Sequence, residues 1–402
     1  MKTKIQLFVA FLLLAVGALW LTSCSSEDAV QGSGSQADAS LTLTINTGKV
    51  GSRATAWDGS TTPKSTDENT INRLTVGIFD ASTKKVKTIV ELTSATTGGN
   101  SLLVSGNTAT AKIVTTSLAT GDDVLVAANA PAGIFAGVAD ETGFNAKTEG
   151  IKSAVLSSSD NTKEINTNIP MYGASTLNGS GSDFITTVSV NHQLAKITLD
   201  DLEVAFDANG PYKEAEFTPT EFFLVNVPEK LAFSSNAWVN GASHLHGMSS
   251  TTYSSLTAAS KWGTYKEYLS SAATGSTALK GTSAKYASAA YFYVTPSDDD
   301  TADGKMKLII AGTFKTNSSD GGTTVFYPVA INANYAANGT PSAATNGGAE
   351  VFKVYPNKNY VCKVVIKTKG TTDPTQNLDP QTATVTVTVT DFVEAKQTTT
   401  FE

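Results

Sequence analysis

The segment Thr382–Phe392 reads TATVTVTVTDF, so Val385, Val387 and Val389 alternate with Thr384, Thr386, Thr388 and Thr390. A period of two scatters apolar groups around a helix axis but collects them on one face of a strand. β-branched residues also suit a pleated, half-buried surface. The same reading holds along most of the chain. It predicts strands at Leu41–Ile45 (LTLTI), Ile71–Phe79, Val86–Leu92, Ala109–Val114, Val124–Ala130, Phe184–Val190 and Lys196–Phe206. It continues with Phe222–Val227, Tyr291–Thr295, Met306–Phe314, Val325–Ile331, Val351–Lys367, Thr382–Phe392 and Thr398–Glu402. Clusters of Gly, Asn, Asp and Ser separate these runs. Short helices are expected only near Pro131–Val138 and Ala258–Leu269. The class is all-β, arranged as two sandwiches.

A length of 402 residues gives room for two domains. The run GASTLNGSGSD at Gly173–Asp183 has turn composition and suggests the boundary between them. Ser234–Ser288 is too long for a plain loop in a compact domain. Charged residues make up 16% of the chain and the net charge is -7. An acidic, sparsely charged surface excludes a nucleic-acid partner, which requires a basic face. Three His and two Cys leave little for metal or nucleophile chemistry.

The N-terminus carries Lys2 and Lys4 and then an apolar run, Ile5–Leu21, the order of charge and hydrophobicity in a secretory signal. Leu21-Thr22-Ser23-Cys24 closes it and resembles the lipobox of bacterial lipoproteins. That resemblance implies cleavage before Cys24 and a diacylglycerol on its thiol, leaving 402 − 23 = 379 residues. An uncleaved membrane anchor is the alternative. Ser25-Ser26-Glu27-Asp28 resembles the export signal that sends Bacteroidetes lipoproteins to the outer face of the outer membrane. Gln31–Ala39 reads as a flexible tether. Cys362 lies in a strand-like run and reads as a small packed hydrophobe, not a nucleophile.

Several further segments, in order, resemble the fimbrillin family of Bacteroidales (FimA-like subunits of type V pili). They are Gly51-Ser52-Arg53-Ala54 after a first strand, Ile71–Asp80, Val124–Pro131, Ile169–Gly173 and Leu194–Ile197, followed by Tyr291–Val294, Phe326–Val329 and Pro356–Tyr360. Ser234–Ser288 resembles nothing in that family. The resemblance implies two β-sandwich (transthyretin-like) domains with Greek-key-type connections. It also implies a lipidated precursor, exported through the periplasm to the outer membrane, which is cut after an Arg behind the first strand by a trypsin-like or Arg-specific protease. Loss of that strand opens a groove, and the C-terminal strand of another subunit fills it, building an extracellular fimbrium. The expected organisation is a signal peptide at 1–23, a lipidated propeptide with the first strand at 24–53, and sandwiches at 54–183 and 184–402. Residues 371–402 form the donor tail.

The residues themselves allow the same mechanism. Arg occurs only at 53 and 73. Arg53 sits in a polar, Gly-bearing stretch, whereas Arg73 lies in an expected strand, so one site is open to an Arg-specific protease. A cut between Arg53 and Ala54 would leave 402 − 53 = 349 residues and remove Leu41, Leu43 and Ile45, which share one strand face. A sheet edge opened in this way is a template for strand addition. Val385, Val387, Val389 and Phe392 repeat the apolar pattern of the lost strand, and Gly370–Pro380 (GTTDPTQNLDP) reads as a hinge. The alternative is that Thr382–Phe392 is simply the last strand of its own domain.

No HExxH, Walker A, GxGxxG or GxSxG motif occurs, so no enzyme activity and no cofactor is expected. His244 and His246 offer two ligands without a clear third, which favours a chance pair over a metal site. Asp298–Gly304 is an acidic turn without the spaced ligands of a calcium loop. Asp300-Thr301-Ala302 resembles a Bacteroidetes O-glycosylation sequence. The reading is therefore a pilus subunit, in a stalk or else a tip position, whose partners are its own copies and related subunits. A host or bacterial surface ligand is a further expected partner. A second reading is a surface adhesin lipoprotein that does not polymerise and binds glycan through Trp238, Tyr253, Trp262, Tyr265 and Tyr268.

Overall fold

A computed structural model describes residues 39–47, 68–106, 108–150, 168–249, 251–253, 262–287, 290–335, 340–344, 350–376 and 383–391. All lie in one compact unit, Asp38–Glu402. Cys24, Arg53, Ala54, Phe392 and the strand expected at Thr398–Glu402 fall outside the described residues.

The first half contains β1 (Ala39–Asn46), β2 (Arg73–Phe79), β3 (Val86–Thr93), β4 (Ser101–Ser105), β5 (Thr108–Thr115) and β6 (Asp123–Ala128). There follow α1 (Glu141–Asn145), β7 (Thr148–Gly150), β8 (Met171–Thr176), β9 (Asn178–Ser180), β10 (Asp183–Ser189) and β11 (Asn191–His192). The order β4-β5-β1-β10-β9 makes one sheet and β11-β8-β6-β2-β3 a second. Their facing sides share a core of Leu41, Leu43, Ile45, Leu74, Val76, Ile78, Ala109, Ala111, Ile113, Val124, Val126, Phe184 and Val188. β2 is buried along almost its whole length because its sheet is covered on the other side too. There Phe79, Phe144 and Phe135 pack in sequence, the last two stacked at 4.0 Å.

The second half opens with β12 (Ala195–Val204), β13 (Glu216–Val225), β14 (Val227–Pro228), β15 (Lys230–Ala232), β16 (His244–His246), β17 (Thr264–Tyr265) and β18 (Ser270–Ala272). It continues with β19 (Leu279–Lys280), β20 (Ala284–Tyr286), β21 (Ala290–Val294), β22 (Lys307–Lys315), β23 (Thr323–Ala330), β24 (Asn334–Tyr335), β25 (Pro341–Ser342), β26 (Lys358–Ile366) and β27 (Ala383–Asp391). β20-β12-β26-β27, with β21 also on β12, faces β18-β13-β22-β23, with β19 also on β13. Two β-bulges explain patterns that plain alternation cannot. Register shifts at Leu199/Asp201 and Pro219/Glu221 reverse side-chain parity. Ile197 and Leu199 therefore share the core with Leu202 and Val204, and Phe217 shares it with Phe222 and Leu224.

The all-β expectation holds, with three local corrections. The run 173–183 is no linker: it ends β8, forms β9 and turns into β10. Gly173 and Gly179 serve close backbone approach, since a Cβ on them would stand 2.4 Å from the Ser189 carbonyl oxygen and 2.6 Å from that of Asp183, respectively. The chain pairs within the first two sheets until His192 and enters the other two at Ala195, beyond the 183/184 boundary expected. Pro131–Val138 forms turns rather than a helix. The helix starts at Glu141 instead, where the Asp140 side chain accepts from the Gly143 N–H at 2.9 Å and caps it. Of the helix expected at Ala258–Leu269, the described part holds β17 and a 3-10 turn at Glu267–Leu269 instead.

Candidate assembly site

β1 is an interior strand. It runs antiparallel to β5 from Ala39↔Thr115 to Asn46↔Thr108, and parallel to β10 from Ser40↔Asp183 to Asn46↔Ser189. Leu41, Leu43 and Ile45 have 0% exposure, while Thr42 and Thr44 lie half-buried on the opposite face. Each of these large apolar side chains contributes about 1.5–3 kcal/mol by burial. Adjacent strands lie about 4.8 Å apart, so taking β1 away leaves a slot about 10 Å wide between β5 and β10. Both walls of that slot would present unpaired backbone groups, and its floor would lack three side chains.

β27 occupies the opposite situation. It pairs along nine positions with β26, from Lys358↔Asp391 to Ile366↔Ala383, and lies at the end of its sheet. Val387 is buried between exposed Thr386 and Thr388 and joins the core opposite Cys362. The backbones of Val385 and Val389 pair with Val364 and Tyr360. Cys362 itself has 0% exposure, and burial pushes its thiol up to about 12, which suits packing and not nucleophilic attack.

The approach to β27 differs from the expected hinge. Thr371 exchanges backbone hydrogen bonds with Phe326 at 2.7 and 3.1 Å, and the Gly370 N–H donates to the Tyr327 hydroxyl at 3.0 Å. A Cβ on Gly370 would meet the Phe326 carbonyl oxygen at 2.7 Å and the Tyr327 ring at 2.9 Å, so the strand approach requires glycine. Asp373 accepts from the Thr375 N–H and hydroxyl at 2.9 and 2.8 Å. Residues 370–376 are thus fastened to the β22–β23 side of the fold, and 377–380 lie outside the described residues.

Lys307 supports this fastening by donating from Nζ to the Thr375 carbonyl at 3.3 Å. Burial and the neighbouring Lys305 bring its ammonium down to about 8, against the pull of Asp303 and Asp373. A lysine whose folded value lies below its ordinary 10.5 costs stability while charged. That cost is fully present below pH 8, shrinks between about 8 and 10.5, and is absent above. Lys307→Met is accordingly expected to be more stable than the native chain at pH 7, with the gap closing toward pH 10.5. Urea unfolding of both proteins across that range checks it. A less stable variant at pH 7 would mean that the Thr375 tie outweighs the burial cost.

A buried polar knot joins the residues after the expected cut to the second half. The Glu68 carboxylate accepts from Lys196 Nζ at 2.8 Å and from the Tyr293 hydroxyl. The Lys196 side chain has only 3% exposure and lies 4.7 Å from the Tyr291 ring centre. His192 Nε2 lies 3.0 Å from the Glu68 carbonyl oxygen, and burial keeps this ring below its ordinary range. Nothing in the local pattern around Glu68 announced the knot. A lysine flanked by Ala195 and Ile197 inside a strand was the one available signal.

The other sequence candidates find structural roles. Tyr253 and Trp262 pack with Phe223, Ile309 and Phe326 on the outer side of the β13–β22–β23 sheet, so part of 234–288 covers that face. Trp238 stands 5.3 Å from Tyr355 and donates to the Val354 carbonyl at 3.2 Å. Tyr268 packs half-buried against the main core, which leaves Tyr265, 43% exposed, as the one open ring of the five. These rings therefore do not form one platform. His246 is buried with its ring 6.0 Å from both Trp262 and Tyr265. Asp299 accepts from the Thr301 N–H and hydroxyl at 3.0 and 2.6 Å within an acidic turn. Among the described residues no three His, Cys, Asp or Glu side chains cluster to hold a metal ion.

Two facing-sheet pairs, with β1 interior to its sheet and β27 at the edge of its own, define an all-β, two-sandwich architecture. Comparison with solved structures finds the same fold in a fimbrilin from Porphyromonas gingivalis, with TM-score 0.58, 19% identity, and 89% of this chain and 99% of that one covered. A candidate cell adhesion protein from Bacteroides eggerthii matches with TM-score 0.57 and 22% identity over 90% and 98%. Another from Parabacteroides distasonis matches with TM-score 0.60 and 14% identity over 90% and 99%. No curated protein matches the chain. Residues 39–198 match the family described as major fimbrial subunit protein (FimA). The matched segment begins at β1, so the family unit includes the interior strand.

Proposed function

We propose that this chain is a subunit of a cell-surface pilus that polymerises by donor-strand exchange. The precursor is exported through the periplasm, lipidated at Cys24 and carried to the outer membrane. A protease then cuts between Arg53 and Ala54, β1 leaves with Leu41, Leu43 and Ile45, and the last strand of another copy enters the slot. The observation that carries this reading is the position of β1: it is interior to its sheet, yet lies on the N-terminal side of Arg53. β27 supports it from the other end, as a terminal edge strand with the same one-in, one-out alternation around Val387. Val385, Val387, Val389 and Phe392 are the assigned donor side chains. Possession of both a removable first strand and a donor strand favours a stalk position.

The test uses recombinant Ala29–Glu402 with limiting trypsin or an Arg-specific protease, read by intact mass and unheated SDS gel. One cut after Arg53 followed by a ladder of SDS-resistant oligomers is expected, and deletion of 382–402 should abolish the ladder. A protein that stays uncut at Arg53, or is cut and remains monomeric, would overturn the mechanism.

A further inference from the structure

At Val387 the outer edge of β27 is closed by the Asn334 side chain. Asn334 accepts from the Val387 N–H through Oδ1 at 2.7 Å and donates through Nδ2 to the Val387 carbonyl at 3.2 Å. This is the hydrogen-bond pattern that a neighbouring strand would offer at that residue, supplied by a single amide. It follows that the backbone groups of Val387 point away from β26, and by alternation those of Thr386 and Thr388 point toward it. Asn334 therefore sits where another chain would begin to pair with the middle of this edge.

The base from which Asn334 reaches is itself held. Asn332, two residues earlier, is fully buried with a left-handed φ of 54°. Its Nδ2 donates to the Glu350 and Lys353 carbonyls at 3.0 and 2.9 Å, and its Oδ1 accepts from the Ala344 N–H at 3.1 Å. Ser342 of β25 adds a 3.4 Å bond to the Asn334 carbonyl. A hydrogen-bonded turn thus presents one amide to one residue of β27, at the centre of its alternating segment.

We infer that Asn334 is a latch on the last strand, holding β27 on its own subunit and blocking its edge until a vacant slot elsewhere competes for it. The inference rests on the reading of β27 as the donor. Leaving home requires β27 to break the β26 ladder and both Asn334 bonds. Entry into a slot between two strands replaces them with ladders on both sides.

The test takes Ala29–Glu402 and its Asn334→Ala and Asn334→Asp variants. Hydrogen exchange of the peptide covering 383–391 is measured on the uncut proteins, and the rate of oligomer growth is measured after cutting at Arg53. Asn334→Ala is expected to raise exchange in that peptide about tenfold, equivalent to about 1.4 kcal/mol, and to speed growth by a similar factor. Asn334→Asp preserves size but turns the Nδ2 donor into an acceptor facing the Val387 carbonyl, so it should do at least as much. Unchanged exchange at β1 in both variants certifies the fold. Unchanged exchange at 383–391 would overturn the latch. So would faster exchange with an unaltered growth rate. If the native chain also fails to grow after cutting, the pilus reading falls instead, and the exchange result alone decides whether Asn334 holds β27.

Discussion

Lys196→Met should destabilise the protein by about 3–5 kcal/mol, the usual cost of stripping one partner from a buried ion pair. The substitution leaves the Glu68 carboxylate buried with the Tyr293 hydroxyl and no cation. Desolvation of that charge then goes uncompensated. A second change, Glu68→Gln, should restore much of the loss, because the pair removed together leaves no orphan charge. Chemical unfolding of the native chain, both single variants and the double variant measures the coupling. A loss under about 1 kcal/mol in Lys196→Met would show that Glu68 finds compensation elsewhere. The location gives the pair its interest. Glu68 lies a short way past Arg53, and Lys196 starts the strand that leads into the second pair of sheets. In the proposed mechanism this knot keeps the newly created N-terminal segment docked when β1 departs.

The fold class was legible because β-branched alternation survives in the strands with one open face. Leu41–Ile45, Ala109–Val114 and Phe184–Val190 show it, and each is buried on alternate residues. Strands covered on both faces were legible only as apolar runs, as in β2 and β6. β8 and β9 escaped because Ser and Gly in strands that closely approach a neighbour look like turn composition. The bulges in β12 and β13 place an extra residue that no period reveals. Positions interior to a sheet are also invisible: nothing in LTLTI says whether it forms an edge or lies between β5 and β10. The asparagine devices belong to the same class. Asn129, Asn226 and Asn332 all adopt left-handed φ near 54–59° at strand ends, and their buried amides bind carbonyls from segments distant in sequence. Asn tolerates that backbone region better than other non-Gly residues, yet an isolated Asn in a sequence reads merely as a turn. The Asn334 clamp depends on a partner more than fifty residues away, so only the folded chain reveals it.

Leu43→Asp is expected to have the largest effect on assembly, because in the proposed mechanism it would take the place of proteolysis. Leu43 is fully buried and stands between Ala111 on β5 and Thr186 on β10, in the centre of β1. An ionised carboxylate there has no cation to meet among the apolar residues that surround the strand, and burying it unpaired costs several kcal/mol. The rest of the sandwich can escape that cost without unfolding, since β1 ends at Asn46 and the segment beyond it is long enough to let the strand leave the sheet. The uncut variant should then expose the slot. A synthetic peptide of residues 382–392 should bind to it and leave the uncut native protein unbound. Exchange at β5 and β10 should rise in the free variant and fall again with peptide. A folded Leu43→Asp monomer whose β1 amides stay as protected as the native ones would mean that the strand is held by its two ladders rather than by its apolar face. In that case the fit of an incoming strand would depend on backbone pairing, and replacing Val385, Val387 and Val389 by Thr would leave assembly intact. If β1 is expelled and the peptide still fails to bind, the slot does not accept the last strand, and exchange between β1 and β27 is no longer tenable.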